Sequence, residues 1–151
     1  MQLRMAYISP RRELKSEGAR LLVEEYVKRS QRFAPVSLEA FRTEAAFWGS
    51  VERRAGRVAP WLVLLDSGGR ALTSPQIAAY VREQSDGGVQ EMLLAIGPPD
   101  GWPAAALQRA QLRLSLGAVT LPHELALAVL SEQVYRALTI LAGHPYHAGH
   151  D

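Results

Sequence analysis

Ser115–His147 reads SLGAVTLPHELALAVLSEQVYRALTILAGHPYH: a short apolar run, a proline, one long helical pattern, then a tail of His and Tyr. Pro122 suits a first helical turn, where its missing N–H costs nothing. Gly143 followed by Pro145 is a stop signal. Between them lie about five turns of helix. Leu127, Leu130, Val134, Leu138 and Leu141 share one stripe, which predicts a core face. Leu125, Val129 and Ile140 fall nearly opposite, beside Glu132 and Arg136. A helix apolar on two sides has to be covered twice. In so short a chain the expected second cover is a second subunit.

Working outward, strand and helix patterns alternate. Leu3–Ile8 predicts a first strand, and residues from about Glu13 to Ser30 an amphipathic helix through Ala19, Leu22, Val23, Tyr26 and Val27. Pro35–Phe41 reads as a second strand and Thr43–Arg57 as a mixed helix. WLVLLD (61–66) is a continuous apolar run closed by Ser67-Gly68-Gly69, the pattern of a strand buried on both faces. Ser74-Pro75 reads as an N-cap and first-turn proline of a helix to about Gln84. EMLLAI (91–96) is the next buried strand. GPPDGWP then turns into a short helix ending near Ala110, before a last strand at Leu112–Leu116. This order predicts one α/β domain over residues 1–151, with a mainly parallel sheet and helices on both faces.

Composition narrows the chemistry. The chain has 151 residues, enough for one domain, and no cysteine, which excludes disulfides, thiolate zinc sites and thiol catalysis. No apolar run has the length of a membrane span, and the N-terminus lacks a signal-peptide pattern, so a cytoplasmic protein is expected. Net charge is +2, unevenly placed: 12 Lys/Arg against 7 Asp/Glu up to Arg57, then 5 against 8. A basic N-terminal half is compatible with phosphate contacts and equally with a solvated helix face.

Ligands in such sheets bind beyond the carboxyl ends of the strands. Leu65-Asp66 with its glycines, Gly97–Gly101 and Leu116–Leu121 converge there. Gly97-Pro98-Pro99-Asp100-Gly101 by itself is a Gly/Pro turn, neither a dinucleotide fingerprint nor a phosphate loop. G-x-S-x-G is absent, which removes the usual hydrolase signal. His144, His147 and His150 are three apart, but Gly143, Pro145 and Gly149 prevent a regular helix that would align them, so no metal is expected. By spacing, Glu132 and Arg136 form an i, i+4 pair.

IGPPDG, then SLGAVTLPHELALAVLSEQVYRAL, then HPYH, with LLDSGGRALTSPQIA upstream, closely resembles the RlmH family of SPOUT-class RNA methyltransferases. The likeness is dense from about Leu64 to His147 and collinear but weaker before. It implies a trefoil-knotted α/β fold, a homodimer, and transfer of a methyl group from S-adenosylmethionine to N3 of a pseudouridine in 23S ribosomal RNA, on the assembled ribosome. It also implies a cofactor site at Leu65, Gly97, Leu116, Gly117, Ala118, Val119, Thr120 and Leu121. Arg136, His144, Tyr146 and His147 are the implied catalytic group. The chain departs from the family pattern at Pro98, where Gly is usual, at Ser9-Pro10-Arg11, where Gly and Lys are common, and after His147, where an Arg is common. Pro98 removes an N–H and forbids positive φ, which leaves open a non-catalytic ribosome-associated RNA-binding dimer. A methyltransferase for another RNA is the third possibility.

Overall fold

The computed structural model describes residues 1–55 and 58–150; Arg57, where the second helical reading ends, and Asp151 lie outside them. Five parallel strands form one sheet in the order β2-β1-β4-β3-β5. They are β1 (Gln2–Ile8), β2 (Val36–Phe41), β3 (Trp61–Ala71), β4 (Glu91–Ile96) and β5 (Leu112–Ser115). The helices are α1 (Glu17–Ser30), α2 (Glu44–Ala55), α3 (Ser74–Asp86), the short α4 (Ala104–Leu107) and α5 (His123–Leu141). The class is α/β with helices on both faces of a parallel sheet, as the alternation predicts.

Strand alternation assigns the two layers. On β1, Leu3, Met5 and Tyr7 join Val23 of α1, Val81 of α3 and Leu127, Leu130, Val134 and Leu138 of α5 in one core. Ala6 and Ile8 point the other way, against Phe47 and Val51 of α2 and Trp102 and Ala106 around α4.

The two-sided character of α5 is satisfied largely within the chain. The sheet covers the Leu127 stripe, α3 packs Ile77 and Ala78 on Ala137 with Ile140 alongside, and α1 brings Tyr26 to 5.8 Å of Tyr135. The unsatisfied remainder is smaller than the sequence pattern implies: Leu125 on α5, with Leu21 and Leu22 on α1, are about half exposed.

Three boundaries differ from the sequence reading for physical reasons. Helix α1 starts at Glu17, because Ser16 is its N-cap, accepting from Ala19 N–H at 3.2 Å, and Glu124 of α5 accepts from the N–H groups of Lys15 (2.9 Å) and Ser16 (2.8 Å). A carboxylate from a distant helix thus completes the cap that local sequence placed earlier. Helix α3 is capped by Thr73, not Ser74, through a capping box with Gln76. Ser74 Oγ instead donates to Gln133 Oε1 at 2.6 Å.

The third difference matters most for the site. Ser67-Gly68-Gly69 does not close β3. Both Leu65 and Arg70 register with Leu114, so residues 66–69 bulge out and the strand resumes to Ala71. A Cβ at Gly69 would lie 2.5 Å from Arg113 O, so the bulge needs glycine for the close backbone approach rather than for a turn.

Candidate active site

The bulge, the loop after β4 and the loop after β5 enclose a cleft of about 340 Å3 at the carboxyl ends of the central strands. That volume suits a small-molecule site. Its walls take Leu65, Asp66, Gly97, Leu116, Gly117, Val119, Thr120 and Leu121, all placed there from sequence, together with Trp102 and His123, which were not. Ala118 sits on the loop but not on the wall.

Each wall has a local cause. Gly97 is buried directly over Trp102: a Cβ there would meet the indole at 2.8–2.9 Å. Trp102 is held by Phe47 and Trp48, with ring centroids at 5.2 and 5.9 Å. Its buried Nε1 has no partner among the described residues, a donor left beside the cleft. His123, at the start of α5, places Nε2 2.7 Å from Gly97 O, tying the helix to the β4 loop. Pro98 causes no distortion. Gly101 N–H donates to Pro98 O at 2.8 Å, closing a turn in which the positive φ falls on Gly101, not on the prolines. In the third loop, Gly117 takes φ 120 and its N–H donates to Ser115 Oγ at 3.2 Å. Among the described residues, the N–H groups of Ala118, Val119, Thr120 and Leu121 make no hydrogen bond. Their main chain is available to the polar edge of a ligand.

The other sequence-named group lies at the far end of α5. Ala142 and Gly143 end the helix in a Schellman arrangement, with His144 N–H donating to Thr139 O (3.0 Å) and Gly143 N–H to Ile140 O (3.2 Å), and Gly143 at φ 71. The chain folds back as a 3₁₀ turn at Pro145–His147, laying the tail on α5. Arg136 donates from Nε and Nη2 to Glu132 Oε1 at 2.8 and 2.7 Å, and from Nη1 to His147 Nδ1 at 2.8 Å. Tyr146 OH donates to the same carboxylate oxygen at 3.1 Å, its ring 4.8 Å from the guanidinium carbon. His144 caps the turn, its Nδ1 accepting from Tyr146 N–H at 3.2 Å, and lies edge-on to Phe33 at 5.8 Å.

These contacts assign protonation. An arginine only donates, so His147 Nδ1 accepts and Nε2 carries the ring proton. Burial pulls the Arg136 pKa down, but hydrogen bonding to the Glu132 carboxylate outweighs it and the guanidinium is held more firmly charged. Burial, then hydrogen bonding with Tyr26 and the charge of Glu132, push the Tyr146 phenol well above its ordinary range. Neither Arg136 nor Tyr146 can accept a proton near neutral pH; both are donors.

Sequence thus named two groups, and the structure does not bring them together in one chain. From His123 at the cleft to Arg136 is about 20 Å along the helix at 1.5 Å per residue. No group of three His, Cys, Asp or Glu side chains gathers as a metal site among the described residues, and none of the described helices is long and apolar enough to cross a membrane.

The family model described as "Predicted SPOUT methyltransferase" matches residues 1–147. The ribosomal RNA large subunit methyltransferase H of Koribacter versatilis is 44% identical over 151 residues, spanning 99% of this chain and 100% of its own. The protein of the same name from Deinococcus deserti is 48% identical over 137 residues, 89% and 93% of the two chains. This chain belongs to the RlmH family of SPOUT methyltransferases.

Solved structures agree on the fold. A probable methylase family protein from Haemophilus influenzae superposes with TM-score 0.54 at 13% identity, over 95% of this chain and 69% of that one. The SpoU methyltransferase AviRb from Streptomyces viridochromogenes, solved with AdoMet, gives 0.50 at 13% identity, over 95% and 61%. Within the RlmH frame, His123 and Trp102 were missed because each had a sufficient local reading, as a helix start and as part of a Gly/Pro turn. Their contact with Gly97 depends on how the strand ends assemble.

Proposed function

We propose that this chain is an S-adenosylmethionine-dependent methyltransferase that modifies N3 of a pseudouridine in 23S ribosomal RNA on the assembled ribosome, in the cytoplasm, as a homodimer with the knotted C-terminal segment of its family. The cleft carries this reading: an apolar slot floored by Gly97 and Trp102, with unbonded main-chain N–H groups along 118–121 and an orphaned indole N–H. Those features suit an adenine ring, which needs apolar faces and backbone partners for its edge. Leu65, Gly97 and Leu116–Leu121 would hold the cofactor, which supplies a methyl group activated on a sulfonium sulfur. The positive φ of the Pro98 turn falls on Gly101, which supports the catalytic reading over a non-catalytic one.

This chain's part would be to hold N3 in line with the methyl group and to provide for the proton that N3 loses, to a base or to water. Positioning supplies much of the rate gain. Arg136 stabilises the developing anion or a neighbouring phosphate, and Tyr146 donates a hydrogen bond or stacks on the base. His144, whose Nδ1 accepts from the Tyr146 amide, would use Nε2 to orient or deprotonate the base. Because one chain separates tail and cleft by about 20 Å, the working site joins the cleft of one protomer to the tail of its partner. The exposed Leu21, Leu22 and Leu125 provide the apolar surface that such a dimer covers.

Calorimetry with S-adenosylmethionine, followed by methyl transfer to ribosomes from a strain lacking the gene, tests the activity; no binding at millimolar cofactor sinks it. Mixing an Arg136→Ala chain with a cleft-defective chain tests the shared site. Two inactive proteins should recover about a quarter of wild-type activity through mixed dimers. No recovery despite proven subunit exchange would place both halves in one chain.

A further inference from the structure

Most arginines on the outer helices are neutralised where they stand. Arg20 is bound by Glu17 and Glu24, Arg29 by Glu25, Arg54 by Glu91, and Arg109 lies over the Trp48 ring at 4.0 Å. The turn after β1 is different. Arg11, Arg12 and Lys15 are exposed, and among the described residues none of their side chains makes an ion pair, the Lys15 charge being felt only weakly at Glu124. Glu124, the nearest acid from α5, is occupied by the N–H groups of Lys15 and Ser16, and Glu13 is the acid within the turn itself. Arg42, exposed and equally without a carboxylate partner, follows β2 on the same edge, where Ser9 N–H donates to Phe41 O at 2.8 Å.

This turn is held at a backbone cost. Arg12 N–H closes onto Ser9 O at 3.0 Å with Arg12 at φ 55, a left-handed conformation that is strained for a residue with a Cβ. Tyr7 OH donates to Arg12 O at 3.4 Å and steadies it. The Tyr7 ring meets that of His123 edge-on at 6.5 Å, and His123 reaches Gly97 O. Three successive contacts therefore join the basic turn to the cleft.

We propose that Arg11, Arg12, Lys15 and Arg42 form a phosphate-binding lip that grips the RNA backbone beside the nucleotide entering the cleft. The inference rests on the methyltransferase reading and adds which surface of this chain meets RNA. A base that enters the cleft carries its flanking phosphates out over the neighbouring strand ends, and cations on the β1 turn neutralise them without first breaking an ion pair.

The test is binding of the wild-type protein and an Arg11→Gln/Arg12→Gln/Lys15→Gln variant to ribosomal large subunits over a salt series. Cofactor affinity and melting temperature are measured alongside. The variant should bind at least about ten-fold more weakly, with the slope of log affinity against log salt reduced by about two to three, and cofactor affinity unchanged. Arg12→Lys should restore most of the slope that Arg12→Gln loses. Arg12→Gly should melt no lower than wild type yet bind RNA less tightly, separating charge from backbone. An unchanged salt slope in the triple variant overturns the lip, as does a loss seen with anionic vesicles but not with RNA. Absence of cofactor binding by the wild-type protein would overturn the enzyme reading while leaving the slope measurement to judge the lip by itself.

Discussion

The two ends of α5 are built on opposite principles. Around its N-terminal end, beside the bonded His123 and Glu124, polar groups are left without a hydrogen-bond partner among the described residues: the amides of 118–121, the Trp102 indole N–H and the Arg11 and Arg12 side chains. At its C-terminal end they are mutually bound, with Glu132, Arg136, Tyr146 and His147 in one network. An end that must take up a ligand keeps donors available, whereas an end that presents side chains holds them in place beforehand. The comparison also separates two kinds of damage: mutations at the open end should alter binding, and those at the closed end should alter rate.

The largest expected effect is at the closed end. Arg136→Ala leaves Glu132 bonded to Tyr146 and Gln133, so the fold and cofactor affinity should persist, while methyl transfer to ribosomes falls about 100-fold or more. Full activity in that variant would reduce the residue to a structural pair. Next comes the open end. Gly97→Ala drives a Cβ to 2.8 Å from the Trp102 ring; calorimetry should show about ten-fold weaker cofactor binding, and denaturation a loss of about 1–3 kcal/mol. If affinity is unaltered, Gly97 does not floor the site.

Tyr146→Phe sharpens the contrast further. Because burial and Glu132 keep the phenol protonated, its removal should lower the rate about ten-fold without moving the alkaline limb of the pH–rate profile. A shifted limb would make Tyr146 an ionising participant. The smallest effect concerns the joint between α1 and α5. Hydrogen bonds from the Ser16 and Lys15 amides hold the Glu124 carboxyl below the usual range. A depressed folded-state pKa contributes stability above the ordinary carboxylate pKa and loses it as pH falls through the lower value. Glu124→Gln should therefore melt slightly lower at neutral pH and show a flatter acid limb. An identical acid limb in both proteins would remove Glu124 from the cap.

Much of this was legible along the chain because burial has a period. WLVLLD and EMLLAI read as central strands, the Leu127–Leu138 stripe as a core face, and Gly143 with Pro145 as a helix end. Each depends on residues a few positions apart. The glycines of 67–69 misled for the same reason. Locally Ser-Gly-Gly is a turn, but Gly69 is there for Arg113, a residue 44 positions away whose backbone leaves no room for a Cβ. The start of α1 lies at the cap that Ser16 makes, braced by Glu124 from a helix far along the chain.

By itself, the sequence determined the alternating α/β order, the long terminal helix and, through its motifs, the family, whose likeness implies the two groups of site residues. Only the tertiary structure decided that Trp102 and His123 complete the cleft, that α1 and α3 cover most of the second face of α5, and that tail and cleft stand a helix length apart. Periodicity records which side of an element is buried. It carries no distance between elements, and a site made of strand ends and a folded-back tail is defined by such distances.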